Sequence, residues 1–167
     1  MEMTQIIRYP DKILLQKSKT VEKFDKNLAL LGDKLLKHLD ISGGIGLSAV
    51  QLGEPLRLVA IAHPESETGK TGRMLLANPE IIKTEGSVSD IEGCFSLPGL
   101  WLEIERPESV EIKGQLITGF PFSARFTGYL ARGMMHEIDH LEGRLIWDLL
   151  PGPKREETVK NYLSTAV

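Results

Sequence analysis

The sequence has one cysteine, Cys94, so no intrachain disulfide can form. It has no apolar run approaching the roughly 20 residues that cross a bilayer as a helix, so no membrane association is expected. A basic surplus is missing as well: 20 Lys and Arg stand against 23 Asp and Glu, a net charge of −3 at pH 7. Recognition of nucleic acid needs clustered positive charge to neutralise phosphates, and none is expected here. The opening residues Met1-Glu2-Met3-Thr4-Gln5 carry an acidic group and no apolar stretch of the signal-peptide kind. Internal repeats, low-complexity tracts and long linkers are also lacking. What remains is a chain of 167 residues, 41% of them hydrophobic, which can bury a core without staples. The expectation is a soluble, cytoplasmic protein with a single domain over residues 1–167, ending in a tail over 154–167 that is helical at least in part.

The spacing of Leu28, Leu31, Leu35, Leu36 and Leu39 predicts a helix from Asp25 to Leu39. Asp25 is its cap, and Ser42-Gly43-Gly44 ends it. Leu56 to Ala62, Arg73 to Ala77 and Val110 to Ile112 are short, rich in branched aliphatics and bounded by Pro or Gly, which reads as strands. Gly69 to Gly72 reads as a loop between two of them, and Pro98-Gly99 as a turn. Ala124 to Leu141 reads as a second helix, and Glu156 to Leu163 as a short terminal one after the break at Pro151-Gly152-Pro153. The order of elements is that of an α+β fold with little parallel sheet.

The sharpest chemical signal is His136-Glu137-Ile138-Asp139-His140, an H-E-x-x-H pattern on the second helix. Residues four apart lie about 40° apart around a helix and about 6 Å apart along it, so two imidazoles there can reach one metal ion. Glu137 is turned about 100° from His136, out of reach as a ligand but able to contact a water at the ion. Hydrolysis requires that division: an ion to acidify water and a carboxylate to handle its proton.

Two histidines need a third protein ligand, with one position left open. Cys94, the carboxylates, His38 and His63 are the candidates. Cys94 lies in Glu92-Gly93-Cys94-Phe95-Ser96, where Gly93 permits close backbone approach. His38, on the polar side of the first helix, and His63, at a strand end, read as surface residues. A third segment, Gly43-Gly44-Ile45-Gly46-Leu47-Ser48-Ala49-Val50-Gln51, is rich in glycine but lacks the spacing and the Lys of a phosphate loop. Its glycines suit an extended backbone lying close to a ligand, and Gln51 supplies an N–H₂ suited to a developing oxyanion.

Together these segments resemble the peptide deformylase family, whose motifs read G-x-G-L-A-A-x-Q, E-G-C-x-S and H-E-x-D-H. Here they stand as Gly44-Ile45-Gly46-Leu47-Ser48-Ala49-Val50-Gln51, Glu92-Gly93-Cys94-Phe95-Ser96 and His136-Glu137-Ile138-Asp139-His140, in the family's order. Tyr9-Pro10-Asp11, Gln51-Leu52-Gly53, Asn78-Pro79 and Leu141-Glu142-Gly143 also match family positions, so the resemblance spans almost the whole chain.

The resemblance implies short antiparallel sheets wrapped around a central helix that carries the two histidines. It implies removal of the formyl group from the N-formylmethionine of nascent polypeptides. One divalent metal is implied, Fe²⁺ foremost, with Zn²⁺, Ni²⁺ or Co²⁺ able to replace it. Carried over by position, Cys94, His136 and His140 hold the metal. Glu137 is general base and then general acid, and the Gln51 side chain and the Phe95 N–H bind the oxyanion. The backbone at Ile45, Gly46 and Gly93 pairs with an extended substrate, and Tyr129, Gly133 and Trp101 line the pocket for its Met side chain. Glu92 and Arg106 form a salt bridge supporting the cysteine segment. N-formylmethionyl peptides are the implied partners, with the ribosome near its exit tunnel; a bacterial cytoplasm is the implied setting, with organellar members as the alternative.

Two positions depart from the family pattern. Ser48 stands where Ala is usual, and Met135 stands where many members place a Gln that supports the metal site, so efficiency is where a difference is expected. Two other readings remain at this level. H-E-x-x-H alone is shared with zinc peptidases, although those draw their third ligand from a downstream Glu or His. A relative that has lost turnover is the second, against which the intact Glu137 and Gln51 speak.

Overall fold

A computed structural model describes residues 5–64 and 71–165. The first helix, α1 (Lys26–Ser42), begins where Asp25 accepts hydrogen bonds from the N–H groups of Asn27 and Leu28, at 3.0 and 3.1 Å. It runs past the expected end at Leu39 and closes at Gly43, whose φ of 69° a glycine adopts without strain. Then come β1 (Gly46–Ser48), a 3₁₀ turn at Ala49–Leu52, β2 (Leu58–Pro64), β3 (Thr71–Glu85), β4 (Val88–Cys94), β5 (Leu97–Arg106), β6 (Ser109–Leu116) and β7 (Pro121–Thr127). Helix α2 (Gly128–Leu141) follows, and α3 (Gly152–Thr165) ends the described chain.

Strands β1-β2-β3-β6-β7 form one antiparallel sheet in that order, and β4-β5 form a second, two-stranded one. Alternation along β2 shows how the large sheet holds two helices. Leu58 and Ala60 face α1, in a cluster with Leu28, Leu35 and Leu39. Val59 and Ile61 face α2, in a cluster with Leu76, Ile112, Met134 and Ile138. Each large apolar side chain so buried contributes about 1.5–3 kcal/mol relative to exposure. The other side of α2 meets β4 and β5 through polar contacts. The helix with the H-E-x-x-H pattern thus lies between the two sheets, as the resemblance implies.

Several elements differ from the sequence expectation. β3 extends well beyond Ala77, through Asn78-Pro79, with its register shifting between Ala77 and Glu80, where Pro79 has no N–H to give. β4 and β5 were not expected. β4 is mostly exposed and carries polar residues, so it lacks the apolar alternation that marks a strand. Pro98-Gly99 lies inside β5, and the turn is made by Phe95-Ser96 instead. Residues 124–127, which run directly into α2, belong to β7, held by its pairing along β6 from Pro121 to Thr127. The loop expected at Gly69 to Gly72 falls partly outside the described residues. His38 is buried rather than exposed, with Nδ1 2.6 Å from the Lys34 carbonyl oxygen. α3 starts earlier than expected, at Gly152, and sets Tyr162 against Trp147 with ring centroids 5.6 Å apart.

Candidate active site

Helix α2 presents His136 and His140 on one face, one turn apart, and the end of β4 brings Cys94 to them. The Cys94 Sγ and a ring nitrogen of each histidine all lie within 4.8 Å of one another. Sγ is 3.3 Å from His140 Nε2. Burial alone pushes the Cys94 thiol up, but the two histidines hold it well below the ordinary thiol range. Burial pushes His136 down, yet Cys94 and Glu92 hold it well above the imidazole range. The cluster therefore favours a thiolate beside positive charge, and a divalent ion among one sulfur and two imidazole nitrogens satisfies the same demand. The donor set fits a metal. His38 and His63, the other histidine candidates, are not part of it.

Glu92 organises the layer behind the ligands. Its Oε2 is 3.1 Å from His136 Nδ1, which fixes the ring and leaves Nε2 for an ion. Arg106 grips the same carboxylate twice, Nε to Oε1 at 2.5 Å and Nη2 to Oε2 at 3.0 Å. The expected Glu92–Arg106 pair is therefore present, but the sequence reading missed two further members. Arg132 donates to Glu92 Oε1 at 2.7 Å and to the carbonyls of Ile104 and Val88. Asp139 accepts from Arg106 at 2.8 Å and pairs with Arg144 at 2.8 Å. The four-residue spacing of Arg132 and His136 was the available signal, since it puts both on one helix face. Burial pushes the Glu92 carboxyl up, but the hydrogen bonds from His136 and Arg106 bring it down to about 2. Met135 takes no part in this layer: it is buried in the apolar cluster against the large sheet.

Glu137, beside His136 on α2, is buried in the wall of the same cleft. Burial raises its carboxyl above the ordinary value, against the pull of His136 and His140. Its Oε2 is buried without a hydrogen-bond partner among the described residues. A Cβ on Gly46 would sit 2.6 Å from Glu137 Cγ, so that glycine is required by close approach. A Cβ would also come within 3 Å of the Phe95 ring at Gly44, of the Trp101 ring at Gly93 and of the Ile45 Cγ2 methyl at Gly133, side chains that would have to shift.

These groups line a cleft of about 610 Å³. Gln51, Cys94, Phe95, His136 and Glu137 lie on its wall, with Ile45, Gly46 and Gly93 along its sides. Tyr129, Gly133 and Trp101 also border it, but Tyr129 and Trp101 are 67% and 70% exposed, so they stand at its rim. Arg106 and His140 lie behind the wall. Among the described residues, β1 and β4 are each paired along one edge, which leaves two strand edges beside the cleft.

One cysteine and two histidines that could hold a metal ion, with a buried carboxylate on the wall of the same cleft, are the arrangement of a metallo-hydrolase. The family profile described as Polypeptide deformylase matches residues 3–156. A peptide deformylase of Caldicellulosiruptor bescii is 45% identical over 164 residues, covering 98% of this chain and 95% of that one. The chloroplastic/mitochondrial peptide deformylase 1B of Arabidopsis thaliana is 41% identical, over 86% of this chain and 53% of its own length. A crystal structure of a peptide deformylase from Legionella pneumophila superposes with a TM-score of 0.87 at 32% identity, over 99% of this chain and 96% of that one. The chain belongs to the polypeptide deformylase family. It is a hydrolase of protein biosynthesis that removes N-formyl groups from nascent polypeptides, and metal dependence is the family's character. The zinc-peptidase reading falls away.

Proposed function

We propose that Cys94, His136 and His140 hold one divalent ion and that Glu137, Gln51 and Phe95 carry out deformylation around it, within one catalytic domain over residues 1–167. The observation that carries this is the convergence of the three ligand atoms beside a buried carboxylate oxygen that lacks a partner among the described residues. When bound, the ion supplies a water acidified toward neutrality and a Lewis acid for the formyl oxygen. Glu137 takes the proton from the attacking water and delivers it to the leaving amine, a role suited to a carboxyl raised by burial. The Gln51 carboxamide nitrogen has two N–H groups. One is given to Ser96 Oγ at 3.2 Å, and the other serves the oxyanion together with the Phe95 N–H.

The substrate backbone pairs with Ile45 and Gly46, at the entry to β1, and with the edge of β4 at Gly93, and the Met side chain goes toward Tyr129, Gly133 and Trp101. Free edges on both strands support this placement. The proposed metal is Fe²⁺; a sulfur and two imidazoles also accept Zn²⁺, Ni²⁺ or Co²⁺. No helix among the described residues is long and apolar enough to cross a membrane, and the proposed setting is the cytoplasm, where nascent chains emerge. Helix α3 buries none of its described residues and carries Lys154, Arg155 and Lys160, which supports docking of the 154–167 tail on the ribosome near the exit tunnel. Loss of ribosome co-sedimentation on deleting the tail is the expected result.

The roles are tested by amine release from a formyl-Met tripeptide with anaerobically prepared, Fe²⁺-loaded protein, beside the acetylated peptide and Gln51→Ala. The formyl substrate alone turns over. Gln51→Ala keeps its metal and falls about 10²–10³-fold in kcat. Near-normal turnover of that variant would remove Gln51 from the oxyanion site.

A further inference from the structure

Ser48 is one of two positions where this chain leaves the usual motif, and it lies at the centre of the proposed site. Along β1, Leu47 faces α1, so Gly46 and Ser48 share the opposite face, toward α2. Ser48 is fully buried, and Gln51 is buried beside it. Both donors of Ser48 converge on one atom. Its backbone N–H and its hydroxyl each lie 3.0 Å from Gln51 Oε1. At the other end of the carboxamide, Nε2 donates to Ser96 Oγ, which in turn donates to the Ile7 carbonyl at 2.7 Å.

A carboxamide oxygen accepts two hydrogen bonds, and its nitrogen donates two. Ser48 fills both acceptor positions, and Ser96 takes one donor. One N–H of Nε2 is left over. An alanine at position 48 would leave only the backbone N–H on Oε1, and the amide would be held at two points instead of three.

We propose that Ser48 is a positioning residue for deformylation: its hydroxyl locks the Gln51 carboxamide in the orientation that keeps the remaining Nε2–H for the oxyanion. The proposal rests on the reading of Gln51 given above. The Ser48 hydroxyl also acts on Glu137, from α2, drawing its carboxyl down against the rise caused by burial. The hydroxyl has one proton for these two acceptors, so an experiment must separate the two routes.

A kinetic cycle on the Fe²⁺-loaded protein does so, using Ser48→Ala, Gln51→Ala and the double variant with a formyl-Met tripeptide. Removing one neutral hydrogen bond corresponds to a loss of about three- to tenfold in kcat, with KM and metal content unchanged. That loss should vanish in the Gln51→Ala background. In ¹⁵N–¹H spectra of the Zn²⁺-loaded protein, the two Gln51 Nε2 protons should be separate and sharp, and exchange-broadened in Ser48→Ala. A Ser48→Ala loss that persists without Gln51 would place the effect on Glu137 and overturn the proposal. Unchanged kcat and sharp Gln51 signals in Ser48→Ala would overturn it too, while an impaired Gln51→Ala would leave the oxyanion reading standing. An unimpaired Gln51→Ala would instead remove that reading and this proposal with it.

Discussion

Glu92 Oε2 and His136 Nδ1 meet at 3.1 Å, and that contact ties the metal face of α2 to the strand that delivers Cys94. The carboxylate also receives Arg106 and Arg132, so three cationic or polar donors share two oxygens. Glu92→Gln keeps the shape but leaves two buried guanidiniums facing a neutral amide. The expected losses are 10- to 100-fold in metal affinity, through the loosened His136 ring, and about 3–5 kcal/mol in stability. Chelator competition and denaturant unfolding read the two separately. The pH dependence follows from the same contact. The folded-state value, about 2, lies below the ordinary carboxyl value of 4.5. The stabilising contribution is therefore present above pH 4.5 and drains away as pH falls toward 2. In Glu92→Gln, the part of the acid unfolding limb in that window should flatten.

Arg132 binds Glu92 and two strand carbonyls, of Ile104 and Val88, from a helix position one turn before His136. Arg132→Met retains an unbranched apolar stem and removes every one of these donors. The buried Ile104 carbonyl and the part-buried Val88 carbonyl then lose a charged partner. Destabilisation by about 2–4 kcal/mol is expected, with weakened metal retention and Glu92 still held by Arg106. A melting curve of the metal-free variant isolates the first effect, because no ion is present to mask it. Unaltered stability would mean that water replaces the guanidinium at both carbonyls.

Much of this site was legible from short-range spacing. His136 and His140 sit one turn apart on a helix, and helical geometry alone makes them a pair. Cys94 became their partner only through the resemblance, because no local rule says that β4 ends beside α2. Strands β4 and β7 escaped notice for a related reason. One is polar and exposed, the other runs directly into α2, and both are held by cross-strand pairing that is invisible in a single segment. Arg132 and Asp139 were missed because a buried charge identifies itself by its partner, and their partners lie far along the chain on β4 and β5. The glycines of the first motif are necessary for a reason the sequence could not state: each is pressed by a side chain from a distant element.

Gly46 and Gly133 make that last point testable, since the obstacle differs. A Cβ on Gly46 meets Glu137 Cγ at 2.6 Å and Oε1 at 2.8 Å. Gly46→Ala must push the carboxylate away from the ion, and a displacement of about 1 Å costs on the order of 10²-fold in rate. The expected result is a fall in kcat with metal content unchanged. A Cβ on Gly133 meets the Ile45 Cγ2 methyl at 2.7 Å. Ile45 can turn into the cleft, so Gly133→Ala should raise KM and leave kcat nearly intact, while alanine adds up to about 1 kcal/mol of helix propensity. Steady-state kinetics on the two variants should separate cleanly; a common kcat defect would contradict this division.

Glu137 sets stability against activity in one side chain. Its carboxyl is raised by burial, above the ordinary 4.5. A carboxyl raised in the folded state favours folding in its protonated form, and that contribution is lost as pH climbs through the folded-state value. Once pH has climbed past that value, the metal-free protein must hold a charged, buried carboxylate whose Oε2 has no hydrogen-bond partner among the described residues, at a cost in stability. Glu137→Gln removes the charge and keeps the shape. The metal-free variant should gain stability over the parent as pH climbs through the folded-state value, and the gap should close as pH falls toward 4.5 and the parent's carboxyl is protonated. The same substitution deletes the proposed proton carrier, and the expected loss is about 10²–10⁴-fold in the rate of the metal-loaded enzyme. Calorimetry across pH and single-turnover kinetics measure the two halves independently. A variant that lost turnover without gaining stability as pH climbs would show that the buried carboxylate is compensated in the fold, and its role as proton carrier would stand on the kinetics alone.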